Sequence, residues 1–154
     1  MADRVVAHQG AACWATLFTH AHYLPCLAVL LQSMRACQTR YPLVVMVTET
    51  VDARTRERLA RMGCVLRDVD AWRVPHADGS LAFERFQNVW TKLRAFELYE
   101  YERVVMIDSD MLMCHNMDEL FDLPLERGMI AAAFACTCNP KQIPTYPAEW
   151  TPRN

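Results

Sequence analysis

Short apolar runs alternate with segments of helical periodicity along most of the chain. The runs at 13–19 (CWATLFT), 43–48 (LVVMVT), 64–69 (CVLRDV) and 103–107 (RVVMI) are rich in β-forming residues. Apolar runs of this length are typical of parallel strands that are buried on both faces. A fifth run, MIAAAFAC at 129–136, predicts a further strand.

Helical segments lie between these runs. Between the first two strands, Leu24, Leu27 and Leu31 recur at helical spacing. The segment VDARTRERLARMG opens on Asp52 as an N-cap and closes on Gly63 as the residue after the C-cap. A third helix is predicted for QNVWTKLRAFELYEY, and its apolar face is formed by four residues: Val89, Leu93, Phe96 and Tyr99. Because strands and helices alternate, the sequence predicts an α/β fold with a mainly parallel sheet flanked by helices.

The composition of the chain argues against several classes of function. The 154 residues fit one domain, with 53% apolar and 22% charged residues, and the net charge of -2 excludes the basic surface of a nucleic-acid binder. No apolar segment is long enough to span a bilayer, so no membrane partner is expected. The seven cysteines are an odd number scattered through predicted helices and strands, which favours free thiols and a reducing, cytoplasmic location. Cys136 and Cys138 lack a second pair at zinc spacing.

Two aspartates follow the run at 103–107. In open α/β sheets, ligands bind outside the carboxyl ends of the strands, where Asp108 and Asp110 would lie. Two neighbouring carboxylates repel each other unless a positive group lies between them. Oxygen ligands suit Mg²⁺ or Mn²⁺, which fill their other positions with waters and phosphate oxygens. The pair therefore predicts a clamp for a metal and a diphosphate. In the alternative interpretation, Asp108 caps a turn and Asp110 is solvated.

Further motifs surround these aspartates. Thr91-Lys92-Leu93 precedes Asp108-Ser109-Asp110, and Asn116-Met117-Asp118-Glu119-Leu120-Phe121 follows. Their order resembles that of the family 8 glycosyltransferases, the group that contains glycogenin and galactinol synthase. The N-terminal WATLFTHAHYLPCLAVLLQSM is similar to the first strand and nucleotide-binding turn of that family. The resemblance covers roughly residues 13 to 140.

The resemblance implies a Rossmann-like, nucleotide-sugar-binding fold of the glycosyltransferase-A type. It also implies a retaining transfer of a hexosyl group from a UDP-sugar, with Mn²⁺ as cofactor and Mg²⁺ as a substitute. By the same resemblance, Asp108 and Asp110 would hold the metal, and the backbone of Ser109 would touch the ribose. Lys92 would be the catalytic residue that contacts the diphosphate or the sugar of the donor.

The resemblance also implies a uridine pocket at the end of the first strand. Leu17, Phe18 and Thr19 would line it, and the ring of Tyr23 would stack on the base. For several of these residues a purely structural role stays open. Lys92 could be a solvated helix lysine, Tyr23 a core residue and Thr19 an N-cap. His115 could be a third metal ligand or a loop histidine.

The end of the chain departs from the family. Members continue with a later acidic D-x-x-D segment and a C-terminal H-x-x-G-x-x-K-P-W, whose histidine is the third metal ligand. Residues 141–154 contain neither motif. We therefore expect residues 1–154 to be a single, incomplete nucleotide-diphospho-sugar transferase domain of a longer enzyme. The sugar and its acceptor are not indicated.

Three other functions compete with this interpretation. Haloacid-dehalogenase-type phosphatases also carry an apolar strand before D-x-D, but their motif continues to a Thr where this chain has Leu112. A nucleotidyltransferase would need a glycine-rich phosphate loop, and the four glycines here are not clustered. From a different class, a non-catalytic module that binds a nucleotide sugar or a protein partner stays open.

Overall fold

The computed structural model describes three stretches of the chain: residues 12–72, 89–126 and 128–133. The chain divides after Leu123 into two compact units, and the first contains every helix and strand of the described residues. The described part of the second unit forms a turn, in which the Met129 N–H donates to the Glu126 carbonyl at 3.0 Å. Gly128 lies in this turn with φ 85°.

The strand predicted at 129–136 is not formed in its described part, because residues 129–133 have no regular structure. Residues 134–136 lie outside the described residues, as do Cys136, Cys138 and the remaining tail.

A four-stranded parallel sheet forms the centre of the first unit. Its strands are β1 (Ala12–Phe18), β2 (Leu43–Val47), β3 (Val65–Asp68) and β4 (Arg103–Met106). They lie in the order β3-β2-β1-β4, so β1 and β2 are internal. All three strand pairs are parallel, which confirms the predicted α/β class.

The register brings the carboxyl ends of the strands to one edge. Phe18, the last residue of β1, is opposite Val47, and Val47 is in turn opposite Asp68. On the other side of β1, Ala15 is opposite Met106, the last residue of β4. Residues that follow β1, β2 and β3 therefore leave the sheet next to one another, and the residues after β4 leave it at the same edge from a position three residues lower, opposite Ala15.

Two helices connect the first three strands, α1 (Leu24–Ala36) and α2 (Ala53–Arg61). Both predicted ends of α2 are confirmed. The Asp52 carboxylate accepts a hydrogen bond from the Thr55 N–H at 2.9 Å, and this bond lowers the pKa of Asp52. Gly63 has φ 86°, a left-handed conformation that favours glycine and ends the helix. No helix in the described part of the chain is long and apolar enough to cross a membrane.

The sheet separates two apolar layers. Trp14 and Phe18 lie on the face that packs against α1, and Cys13 and Ala15 lie on the opposite face with Leu98. Burial, with a smaller contribution from the charge of Glu100, raises the pKa of the Cys13 thiol to about 12. This thiol therefore stays protonated and unreactive. All five cysteines within the described ranges are free.

The helix predicted around the T-K-L motif differs from the expectation in type and orientation. It is a 3₁₀ helix, Val89–Glu97, and its predicted apolar face points outward. The exposed fractions of the four residues are 43% for Val89, 38% for Leu93, 62% for Phe96 and 85% for Tyr99. A 3₁₀ helix has about three residues per turn, which aligns Thr91, Arg94 and Glu97 on the inner face instead.

The Asn116-to-Phe121 motif is part of the frame of the first unit. It overlaps the 3₁₀ helix Asp118–Asp122, and the buried Asp118 carboxylate bonds to the loop between α1 and β2. The carboxylate accepts from the Thr39 hydroxyl and, at 2.9 Å, from the Arg40 N–H. The Asn116 amide donates to the carbonyls of Cys37 and Gln38 at 3.1 and 3.2 Å. The motif therefore joins two segments that are far apart in sequence.

These hydrogen bonds control the ionisation of Asp118. Burial alone would raise its pKa, but the bonds from Thr39, Arg40 and Asn116 outweigh burial and lower the pKa. The Thr39 hydroxyl also accepts from the Trp14 indole N–H at 2.9 Å, which extends the network to β1. Loss of the charge at Asp118 should therefore destabilise the core around Trp14.

We predict that Asp118→Asn lowers the free energy of unfolding at pH 7 by about 1–3 kcal/mol, since a buried acceptor of several hydrogen bonds is replaced by a partial donor. The folded-state pKa of Asp118 is lowered, so its stabilisation is complete above an ordinary aspartate pKa of about 3.9 and is lost as the pH falls through the folded-state pKa. Urea unfolding monitored by tryptophan fluorescence at a series of pH values measures both effects.

Asp122→Asn is the matched control, because Asp122 is an exposed acid of the same 3₁₀ helix. This variant should unfold like the wild type at every pH. An Asp118→Asn variant whose stability deficit does not shrink in acid would contradict the assignment of Asp118 as a charged acceptor.

Candidate functional site

Asp108, Ser109 and Asp110 form a turn directly after β4. The Met111 N–H donates to the Asp108 carbonyl at 3.2 Å, and the Asp108 N–H lies 3.3 Å from the Met111 sulfur. The turn is thus closed by the backbone carbonyl of Asp108, not by its carboxylate. Both aspartates are exposed at the carboxyl edge of the sheet. Their carboxylates are therefore available to a ligand.

Lys92 contacts this turn. Its ammonium group lies 2.5 Å from Oδ1 of Asp108, and the side chains are 38% and 52% exposed. Lys92 is therefore paired with the turn, while its side chain stays partly exposed to solvent. The structure brings together the two charged motifs on which the sequence prediction depended.

Thr91 holds the 3₁₀ helix that carries Lys92. Thr91 is fully buried, and its hydroxyl accepts a hydrogen bond from the Trp72 N–H at 3.0 Å. One turn later, the Arg94 guanidinium donates to the Asp70 carbonyl at 3.2 Å and lies over the Trp72 ring, 5.3 Å from its centroid. The T-K-L motif therefore contains one anchoring residue and one residue that reaches the site.

The predicted uridine residues lie at the end of β1. Leu17 and Thr19 are partly buried, whereas the Phe18 side chain is fully buried in the core. The Thr19 hydroxyl pairs with Nδ1 of His20 at 2.8 Å and caps no helix, since the 3₁₀ helix Ala21–Tyr23 begins after His20 without a side-chain cap. The interpretation of Thr19 as an N-cap is therefore wrong.

Tyr23 is 38% exposed and belongs to a row of rings. The His22 ring lies 4.1 Å from the Tyr23 ring at an interplanar angle of 40°, and the His20 ring lies 5.4 Å from that of His22. Tyr23 is therefore a partly exposed ring, not a core residue.

A hydrogen-bonded network connects the ends of β1, β2 and β3. The Thr50 hydroxyl donates to the Thr19 carbonyl at 2.7 Å and lies 2.7 Å from the Thr48 hydroxyl. Arg56 of α2 donates to the Thr48 carbonyl at 2.8 Å and pairs with Asp68. Sequence reasoning missed this network, although two threonines directly after β2 were a signal of polar contacts at the sheet edge.

An open cleft of about 320 Å³ lies beside this network. It is lined by four acids, one arginine and one valine: Glu49, Asp68, Asp70, Glu97, Arg56 and Val69. The carboxyl edge of the sheet is therefore concave and polar next to β2 and β3.

The donor set at Asp108 and Asp110 fits a hard divalent cation. Exposed carboxylates supply oxygen ligands to Mg²⁺ or Mn²⁺, and these ions take one or two carboxylates and complete their shell with waters and phosphates. Throughout the described ranges, no three or more His, Cys, Asp or Glu side chains are grouped to hold a metal ion. His115 is exposed and joins no such group. The candidate ligands at this turn are the carboxylates of Asp108 and Asp110.

Comparisons with known proteins identify a family that is similar in sequence to this chain. The model of glycosyl transferase family 8 matches residues 15–147. The chain is 31% identical to galactinol synthase 5 of Arabidopsis thaliana over 139 residues. This match covers 89% of the chain and 41% of that protein. It is also 34% identical to galactinol synthase 2 of Ajuga reptans over 109 residues, and this second match covers 71% of the chain and 37% of that protein.

The chain therefore spans about two fifths of the length of these relatives. The family match covers most of the chain and includes the end of β1, the T-K-L helix, the D-x-D turn and the Asn116-to-Phe121 motif. The chain, with its parallel Rossmann-like sheet, belongs to glycosyl transferase family 8.

Proposed function

We propose that the chain is the donor-binding part of a retaining hexosyltransferase that uses a UDP-sugar and Mn²⁺, with Mg²⁺ as a substitute. The observation that carries the proposal is the ion pair of Lys92 with Asp108, which joins a cation and a two-carboxylate turn at the ligand-binding edge of the sheet. Membership of family 8 and the similarity to galactinol synthases support the same reaction type.

Each charged residue has a separate task in the proposed reaction. Asp108 and Asp110 would hold a divalent cation, which when bound neutralises charge that develops on the departing diphosphate. Lys92 would donate to a phosphate oxygen as a compact positive charge. The backbone of Ser109, between the two aspartates, would contact the ribose. These groups act on the donor, and the acceptor is not specified by them.

The uridine would lie at the end of β1. Tyr23 would stack on the base through its exposed ring face, supported from the other side by His22. Leu17 and Thr19 are partly exposed and would line the pocket. Phe18 would contribute its backbone only, because its side chain is fully buried.

A second candidate function is donor binding without turnover by this polypeptide. It is favoured by the placement of Lys92, Asp108 and Asp110, which together would contact the donor and specify no acceptor. A transfer assay with UDP-glucose and UDP-galactose, run on this chain and on a version extended to the length of the relatives, distinguishes the two candidates.

We also propose that the protein works in the reducing cytoplasm on a small-molecule donor. The free thiols of the described residues, two of them buried in the first unit, support this location.

The first prediction from this function concerns metal-dependent binding. Isothermal titration calorimetry should detect UDP binding to the chain in the presence of Mn²⁺ and a marked loss of heat when the metal is chelated. The double variant Asp108→Asn/Asp110→Asn should lower the affinity for UDP in Mn²⁺ at least tenfold, since charge-assisted contacts are worth about 1.5–3 kcal/mol each.

Glu119→Gln/Asp122→Asn is the control, since it removes the same number of charges from two exposed positions outside the turn. This variant should bind UDP like the wild type. Equal heats with and without metal in the wild type would refute the metal clamp.

The second prediction concerns the network at the edge of β1. Thr50→Val removes the donor to the Thr19 carbonyl and should cost about 1 kcal/mol of stability. Amide hydrogen exchange at residues 19–23 should become faster, and UDP affinity should fall about two- to fivefold because the segment that carries Tyr23 loses its link to β2.

Glu49→Ala tests whether this effect is specific, because Glu49 is the exposed neighbour of Thr50. Exchange at residues 19–23 should be unchanged in this variant. Unaltered exchange in Thr50→Val would show that the Thr50 contact does not hold the segment.

A further inference from the structure

The ion pair between Lys92 and Asp108 occupies a carboxylate that the proposed metal also needs. The Lys92 ammonium group lies 2.5 Å from Oδ1 of Asp108. Within the described ranges, Lys92 is the one cationic side chain that pairs with either aspartate of the turn. Lys92 therefore supplies a positive charge that offsets repulsion between Asp108 and Asp110.

A divalent cation and the ammonium group would compete for this carboxylate. Both would approach Asp108, and two positive charges at such short distance repel each other. Binding of a metal to Asp108 therefore weakens the ion pair and favours release of the carboxylate by Lys92. The released ammonium group then needs another anion nearby, and a diphosphate bound to the same metal supplies one.

The structure permits this exchange without movement of the backbone. The lysine side chain has a four-carbon stem with several rotatable bonds, and its side chain here is 38% exposed. Its helix stays in place because Thr91 is fully buried and bonded to the Trp72 N–H, and because Arg94 is bonded to the Asp70 carbonyl. Only the side chain of Lys92 has to turn.

We propose that Lys92 couples metal binding to donor binding: it pairs with Asp108 until a metal and a diphosphate arrive together, and then transfers to the phosphate. The proposal rests on the function proposed above. Free metal is disfavoured because the paired ammonium group repels it, whereas metal with diphosphate gains the lysine as a phosphate ligand. By linkage, the metal raises the affinity for the diphosphate by the same factor as the diphosphate raises that for the metal.

The test measures Mn²⁺ binding by electron paramagnetic resonance of the free ion, with and without UDP, for the 154-residue chain and for Lys92→Met. For Mn²⁺ alone, the variant should bind about two- to fivefold more tightly than the wild type, the change expected when an exposed competing ion pair is removed. With saturating UDP, the variant should bind Mn²⁺ about tenfold or more weakly, since a charge-assisted contact to phosphate is lost. The two effects have opposite signs.

Three further variants make the result specific. Lys92→Gln should behave like Lys92→Met, and Lys92→Arg should keep weak binding of free Mn²⁺ because it keeps the charge. Arg54→Met, on the exposed surface of α2, removes the same charge elsewhere and should change neither affinity. Circular dichroism confirms that each variant is folded.

The outcomes separate the two proposals. A wild-type chain that binds Mn²⁺ no better with UDP than without it, and binds UDP no better with Mn²⁺, would overturn both. If the wild type shows this coupling but Lys92→Met and Lys92→Gln shift both affinities in the same direction, or neither, the proposed function stands and the role of Lys92 is refuted.

Discussion

Electrostatic repulsion between Asp108 and Asp110 places demands on the structure around them. The two carboxylates follow β4 on a single turn, one residue apart, and a nearby positive charge reduces their repulsion. The Lys92 ammonium group pairs with Asp108 and supplies such a charge. A lysine can do so only if its backbone is fixed, and burial of Thr91 against the segment around Trp72 fixes it. The acidic turn thus depends on a helix that lies before β4 in the sequence.

The strand order determines which other groups meet this turn. β1 is flanked by β2 and β4, so the segment after β1 lies between the acidic turn and the ends of β2 and β3. Thr50 and Arg56 bond to backbone carbonyls on this side and hold the ends of β1 and β2 together. The result is a polar edge. The acidic turn and Lys92 lie on one side of β1, and threonine hydroxyls together with the ion pair of Arg56 and Asp68 lie on the other.

Much of the sheet could be predicted from the sequence, because strands buried on both faces must be continuously apolar, as LVVMV of β2 is. The type of the helix around Lys92 could not be predicted in this way. Its apolar residues fit a period of 3.6, but the tertiary contacts of Thr91 and Arg94 select a period of three and leave Phe96 and Tyr99 exposed. The apolar pattern of the local sequence gives no information about those tertiary contacts.

The candidate site shows a similar limit. The aspartates and Lys92 could be found from motif order, but the Lys92–Asp108 ion pair could not, since it depends on a fold that brings residues 16 positions apart into contact. The partners of Asp118 are 78 and 79 positions away, so its structural role was likewise hidden in the sequence.

The motifs shared with the family therefore consist of residues with two kinds of task. Thr91, Asn116 and Asp118 are committed to hydrogen bonds inside the chain, and the Phe18 side chain is buried in the core. Lys92, Asp108 and Asp110 are exposed enough to meet a ligand. A frame residue is hard to replace because its loss leaves buried hydrogen-bond partners unsatisfied. A residue that binds a ligand would be restricted only by the chemistry of that ligand. A motif match alone does not distinguish a frame residue from a ligand residue. The burial and the hydrogen bonds of each side chain make that distinction.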